Sequence, residues 1–156
     1  MKQLINEMAD MAARGENFAL ATVITRNGSA PRSAGAKMLV RQDGSTAGTV
    51  GGGILEASVE QAAREILSTH ARIVQGFQFS GKDAATMDAI CGGQVEVLVE
   101  WMDASDEVLC QILQELKAAV AEHRKTWLVT ALPSHSLHSL RSHHALVHPD
   151  GRVSGA

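Results

Sequence analysis

The chain has 156 residues, 45% of them apolar and 20% charged, with a formal net charge of -3 at neutral pH. That length supports one domain with a sizeable core, and the mild acidity argues against a nucleic-acid or membrane-surface role, since both draw on a basic excess. No apolar run approaches the roughly 18 residues of a membrane span, the N-terminus lacks the pattern of an export signal, and two cysteines, Cys91 and Cys110, cannot make a disulfide framework, so reduced thiols in the cytoplasm are expected.

Leu4, Ile5, Met8, Met11 and Ala12 recur at helical spacing, and Arg14-Gly15 supplies a stop. FALATVIT (18–25) reads as a buried strand, and RNGSAPRSAG (26–35) as a loop carrying two arginines. AKMLVR (36–41) is a strand, Asp43-Gly44 a hairpin signal, and STAGTV (45–50) the returning strand. After Gly51, Gly52 and Gly53, the residues Leu55, Val59, Ala62, Ile66 and Leu67 form one helical stripe. ARIVQGFQF (71–79) is a strand. In QVEVLVEW (94–101), Val95, Val97, Val99 and Trp101 face one way, with Gln94, Glu96 and Glu100 opposite. Ser105 is placed to cap a long helix bearing Leu109, Ile112, Leu113, Leu116 and Val120, with Asp106 and Glu107 in its first turn. TWLVTAL (126–132) and HALVH (144–148) are two further strands. The whole reads as an α+β fold, a mixed and mainly antiparallel sheet with packed helices, in a single domain over 1–156.

The chain also echoes itself. MLVRQDGSTAG (38–48) aligns with ALVHPDGRVSG (145–155), agreeing at five of eleven positions. Two readings are open: a pair of similar hairpins, or a helix-strand-hairpin unit used twice, the second half-unit starting near residue 104. On the second reading the repeat stops where a glycine run would follow, as a short version of a longer protein or with its last strand at a sheet edge.

The chemistry sits between elements. A helix start leaves backbone N–H groups unpartnered and carries a partial positive charge. Glycines there let a ligand reach the backbone. GTVGGGILE (48–56) is therefore either an anion cradle or a tight structural turn; it lacks the Lys-Ser/Thr of a P-loop and the Rossmann spacing. Arg32 and Lys37 lie just upstream, either as charge for a phosphate or as solvated loop cations. Glu56, in the helix's first turn, either complements the dipole or hydrogen-bonds a polar heterocycle. Cys91 ends a polar stretch directly before Gly92 and Gly93. It is either a small buried residue at a strand entry or an accessible thiol, nucleophile and soft-metal ligand. Cys110, between Leu109 and Leu113 at helical spacing, reads as packing. Five of the seven histidines fall within 135–148, without zincin spacing, and read as a polar segment. No Gly-x-Ser-x-Gly elbow is present.

Two stretches together resemble the XdhC/CoxI family of accessory proteins of molybdenum hydroxylases such as xanthine dehydrogenase. They are TVITRNGSAPRSAGAKMLVRQDGSTAGTVGGGILE (22–56) and ICGGQVEVLVE (90–100), in order and at family spacing. The likeness covers roughly residues 18 to 101, and the tail from Thr126 resembles the family's continuation. The resemblance implies a chaperone that binds molybdenum cofactor (molybdopterin) as cargo, protects it, helps sulfurate it with a cysteine desulfurase and inserts it into the apo-enzyme. It carries over Ser29, Pro31 and Arg32 of the loop, Gly51, Gly52, Gly53 and Glu56 of the turn, and Cys91, Gly92 and Gly93. Arg32, Lys37 and the glycine turn would hold phosphate or pterin, and Cys91 would ligate molybdenum or accept sulfur.

Two departures matter. Longer members carry a C-terminal Rossmann-like domain, and no G-x-G-x-x-G follows here, so a nucleotide-linked function is expected to be missing or to lie elsewhere. Some members have a cysteine where this chain has Gly53, which leaves Cys91 as the one motif thiol; a homodimer would bring two copies together. The alternatives are a small-molecule enzyme using Cys91 as nucleophile, and a partner-docking module without cofactor.

Overall fold

The structure, a computed structural model, describes residues 1–27, 33–78, 93–133 and 143–155. The chain divides into two compact units, one of residues 18–101 and one of residues 1–17 with 102–156.

The first unit is built on a five-stranded sheet. Its strands are β1 (Phe18–Asn27), β2 (Lys37–Val40), β3 (Thr46–Gly48), β4 (Arg72–Gln78) and β5 (Gln94–Met102), in the order β3-β2-β1-β5-β4. β2 pairs antiparallel with both β1 and β3, and β4 pairs antiparallel with β5. Helix α2 (Gly53–Thr69) follows β3. Its apolar stripe, Leu55, Val59, Ala62, Ala63 and Ile66, is buried against Ala19, Ala21, Val23, Met38 and Val40 together with Val95, Val97 and Val99. Small residues on β1 let the helix approach closely. Burying Leu55, Val59 and Ile66 contributes roughly 2 kcal/mol each. His70 closes α2 at φ 56, and its ring stacks on Trp101 with centroids 3.9 Å apart.

The alternation expected of β5 is present. Val95, Val97, Val99 and Trp101 belong to the core beneath α2. The opposite face differs from the polar one expected, because Glu100 is only 1% exposed. Its cross-strand partner is Arg72, whose Nε and Nη2 lie 3.0 and 2.9 Å from one carboxylate oxygen. The partner comes from a distant strand, so local alternation carried no trace of it.

The second unit contains helices α1 (Lys2–Ala13) and α3 (Glu107–Ala121) and a three-stranded antiparallel sheet in the order β6-β7-β8. These strands are β6 (Trp127–Thr130), β7 (His144–Val147) and β8 (Val153–Ser154). The helices pack together through buried Leu4, Ile5, Met8, Met11 and Ala12 and buried Leu109, Ile112, Leu113 and Leu116. Gln114 Nε2 donates to the Ala9 carbonyl at 2.8 Å. The α3 cap is Asp106, one residue beyond the Ser105 expected. Its carboxylate accepts the Val108 and Leu109 amides at 2.9 and 3.2 Å, while Ser105 bonds Asp103 instead. Asp106→Ala is expected to lose about 1 kcal/mol in a denaturant melt, with Ser105→Ala losing less.

The sequence echo corresponds to two matching hairpins. β2–β3 turns at Asp43-Gly44 and β7–β8 at Asp150-Gly151. In each, the Asp carboxylate accepts the amide two residues on, at 2.9 Å (from Ser45 and from Arg152). The glycines share φ values of 83 and 85, as do Gly48 and Gly155 at 80 and 88. Along the chain a helix and a strand precede each hairpin, α1 and β1 before the first and α3 and β6 before the second.

Candidate functional site

One end of the five-stranded sheet gathers the motif residues. Antiparallel pairing sets Lys37, where β2 begins, beside Thr22 in the middle of β1, and Gly48, where β3 ends, beside Met38. Thr25 Oγ1 donates to a Glu96 carboxylate oxygen at 2.6 Å, so β5 enters the sheet where β1 leaves it. Gln78, the last residue of β4, pairs with Gln94, the first of β5. The strand ends that bracket 28–32 and 79–92 therefore share one end of the sheet with the glycine turn and the start of α2. Ser29, Pro31, Arg32, Cys91 and Gly92 lie outside the described residues. Gly93 is described and buried.

The glycine turn explains its own composition. Gly51, Gly52 and Gly53 all have positive φ, at 146, 84 and 58. Gly52, the N-cap of α2, pairs φ 84 with ψ 174, a combination open essentially to glycine alone. Nothing lies within 4 Å of where its Cβ would stand, so space does not demand glycine there; backbone conformation does. The turn is also braced internally. The Gly51 amide donates to Thr49 Oγ1 at 3.1 Å, and the Gly52 amide to Glu56 Oε1 at 3.0 Å. The Thr49 hydroxyl donates to the same Glu56 oxygen. Glu56 thus reaches back to the cap in the manner of a capping box. Its carboxylate occupies the Gly52 amide, so an arriving phosphate meets a negative charge at that amide.

Lys37 meets the turn through backbone alone: its carbonyl accepts the Thr49 amide at 3.0 Å. Its side chain is half-buried, on the sheet face away from α2, and Nζ donates to Thr22 Oγ1 at 2.9 Å. Burial pulls the ammonium below the ordinary lysine value, and the charge of Glu100 pulls it partly back. Lys37, Thr22, Glu100 and Arg72 therefore form a polar row on one sheet face. Sequence reasoning named Lys37 and missed the other three. The alternation of β5 hid Glu100, and Thr22 sits inside an apolar run.

Elsewhere the chemistry is quieter. Burial raises the Cys110 thiol, and the carboxylates of Asp106, Asp103 and Glu107 raise it further, so it stays protonated. Its Sγ lies 3.4 Å from the Ala104 carbonyl oxygen. Of the clustered histidines, His135 and His138 lie outside the described residues. His144 Nδ1 meets Thr130 Oγ1 at 3.1 Å, and buried His148 lies 3.4 Å from both Ser154 Oγ and Glu115 Oε2. Among the described residues no three His, Cys, Asp or Glu side chains are grouped to hold a metal, and no helix is long and apolar enough to cross a membrane.

The profile of the XdhC and CoxI family matches residues 11–77. That stretch is an XdhC and CoxI family segment. It holds Ser29, Arg32, Lys37, the glycine turn and Glu56, and stops short of Cys91. A Bacillus halodurans chain whose crystal structure is described as that of a xanthine dehydrogenase shares the fold, with a TM-score of 0.74 at 24% identity. The likeness spans 97% of the present chain and 44% of that one. The uncharacterized Escherichia coli K12 protein YqeB is 36% identical over 98 residues, which is 62% of this chain and 18% of YqeB. The part shared with each of these relatives is thus under half of the relative's length. In XdhC and CoxI terms, the family segment comprises the end of α1, β1 to β3, the glycine turn, α2 and most of β4.

Proposed function

We propose that the chain is an accessory protein of a molybdenum hydroxylase such as xanthine dehydrogenase, and that it carries molybdenum cofactor as cargo at the glycine-turn end of its five-stranded sheet. The observation that carries this reading is the meeting, at one end of the five-stranded sheet, of the glycine turn with the strand ends that lead to Arg32 and to Cys91.

The parts suit that cargo. Glu56 is an acceptor for the N–H groups of a pterin, and the three glycines leave the adjoining backbone uncovered by side chains. Arg32, with Ser29, supplies charge-assisted donors for the phosphate. The Glu56 carboxylate makes the Gly52 amide the weaker phosphate position, so Arg32 carries more of that task. Lys37, turned to the other face, supports the sheet end. Cys91, between this end and Gly93, is the molybdenum ligand or the acceptor of sulfur from a cysteine desulfurase. Protection, sulfuration and insertion into the apo-enzyme follow in the cytoplasm, with a homodimer as the working assembly.

The test is direct. Protein made in cells that synthesise the cofactor is purified and heat-denatured, and released pterin is read by its fluorescence. Wild type should release pterin, and Cys91→Ala should release little or none. Arg32→Ala should weaken retention by roughly 1.5–3 kcal/mol. Wild type without pterin overturns the proposal, and unchanged retention by Cys91→Ala removes Cys91 from the site.

A further inference from the structure

The hydrogen bonds of the glycine turn converge on an uncharged side chain. Thr49 follows directly on β3, whose register with β2 ends at Gly48 and Met38, and its amide donates to the Lys37 carbonyl at 3.0 Å. Val50, the next residue, is 1% exposed and belongs to the core beneath α2. The sheet thus holds Thr49 from one side and the core from the other, which gives its hydroxyl a fixed origin.

Both roles of that hydroxyl are filled. The Gly51 amide can only donate, so Thr49 Oγ1 accepts there, at 3.1 Å, and its single proton goes to Glu56 Oε1. The Gly52 amide reaches the same oxygen at 3.0 Å. Two donors anchored at separate points pin the carboxylate. Both fall on Oε1, and among the described residues Oε2 receives none. Beside it, a Cβ on Gly52 would meet nothing within 4 Å. The turn therefore presents a held carboxylate next to uncovered backbone.

We propose that Thr49 is a positioning residue which, by holding Glu56, makes the turn selective for the amino-oxo edge of a pterin over the dioxo edge of the corresponding pteridine. The inference rests on the cargo reading above and adds which edge of the cargo the turn reads. A carboxylate accepts hydrogen bonds and donates none. The amino-oxo ring offers it an exocyclic amine and the adjoining ring N–H. In the dioxo ring a carbonyl oxygen replaces the amine and meets the carboxylate acceptor to acceptor. A loosely held carboxylate turns away from that repulsion. A pinned one does not, and the mismatch becomes discrimination. The Gly52 amide would be present whatever the side chains; the Thr49 hydroxyl is the donor that the sequence has chosen.

The test compares pterin with lumazine, its dioxo counterpart, by fluorescence anisotropy on the full chain at neutral pH. Wild type should bind pterin about tenfold more tightly than lumazine. Thr49→Val keeps the shape of the side chain and removes the hydroxyl. It should weaken pterin about tenfold and leave lumazine unchanged, which erases the preference, and Thr49→Ser should restore it. A merely structural loss would weaken both ligands together. Wild type with equal affinity for the two, or with none for either, overturns the inference, and release of pterin on heating decides the cargo reading separately. A preference that survives Thr49→Val, or a loss shared equally by both ligands, overturns the role of Thr49.

Discussion

Arg72→Met should be among the most damaging single changes outside the aliphatic core, lowering unfolding free energy by about 3 kcal/mol. The side chains of Arg72 and Glu100 are 14% and 2% exposed, so the carboxylate has almost no water to fall back on. Removing the guanidinium takes its ion-pair partner from a buried negative charge, which the more distant Lys37 ammonium still attracts. That residual attraction keeps the expected loss at the low end of the 3–5 kcal/mol typical of broken buried pairs. Replacing both partners separates the cost of an orphaned charge from the value of the pair. Arg72→Met with Glu100→Leu should recover at least half of the loss, because a matched apolar pair has no charge to desolvate. Urea melts of the wild type, both single variants and the double variant read the comparison. A double variant as unstable as the sum of the singles would refute the account.

Gly52→Ala should lower stability by about 2 kcal/mol through backbone conformation alone. At φ 84 and ψ 174 an alanine is strained, although no neighbour stands where its Cβ would project. The strain relaxes by rotating the peptide, and that withdraws the Gly52 amide from Glu56 and loosens Thr49 as well. Gly53→Asn is the informative contrast. At φ 58 it lies in the left-handed region that asparagine tolerates, so a smaller loss is expected. The same pair, measured for pterin retention, separates a turn that merely starts a helix from one that shapes a cargo site. In the second case Gly52→Ala loses retention at temperatures where it is still folded. Thermal melts and pterin release on the same preparations check both.

What the sequence revealed depended on how local the determinant was. The Val95-Val97-Val99-Trp101 alternation and the α2 stripe were legible because a single period of two or 3.6 encodes each. The α3 start was legible only to within a residue. Ser105 and Asp106 are both good caps, and side-chain geometry alone decides between them. The face of Glu100 was legible but its burial was not, because its partner arrives from β4, which no period in β5 reports. The glycine run announced a special backbone, but not that Glu56 would turn back onto it. For Lys37, position at the sheet end was readable and side-chain face was not, since the face follows from the β1–β2 register. The hairpin echo was visible in the letters, whereas the matching strand registers of its two copies follow only from the folded sheets.

The strand order has a consequence for how the first unit assembles. β1 meets β2 through contacts such as Lys37 with Thr22, 15 residues apart, but meets β5 through Thr25 with Glu96, 71 residues apart. Closing the longer loop costs roughly 1.4 kcal/mol more chain entropy. The meander of β1, β2 and β3 is thus the fast local event, and the arrival of β5 on the far flank of β1 is the slow step that completes the unit.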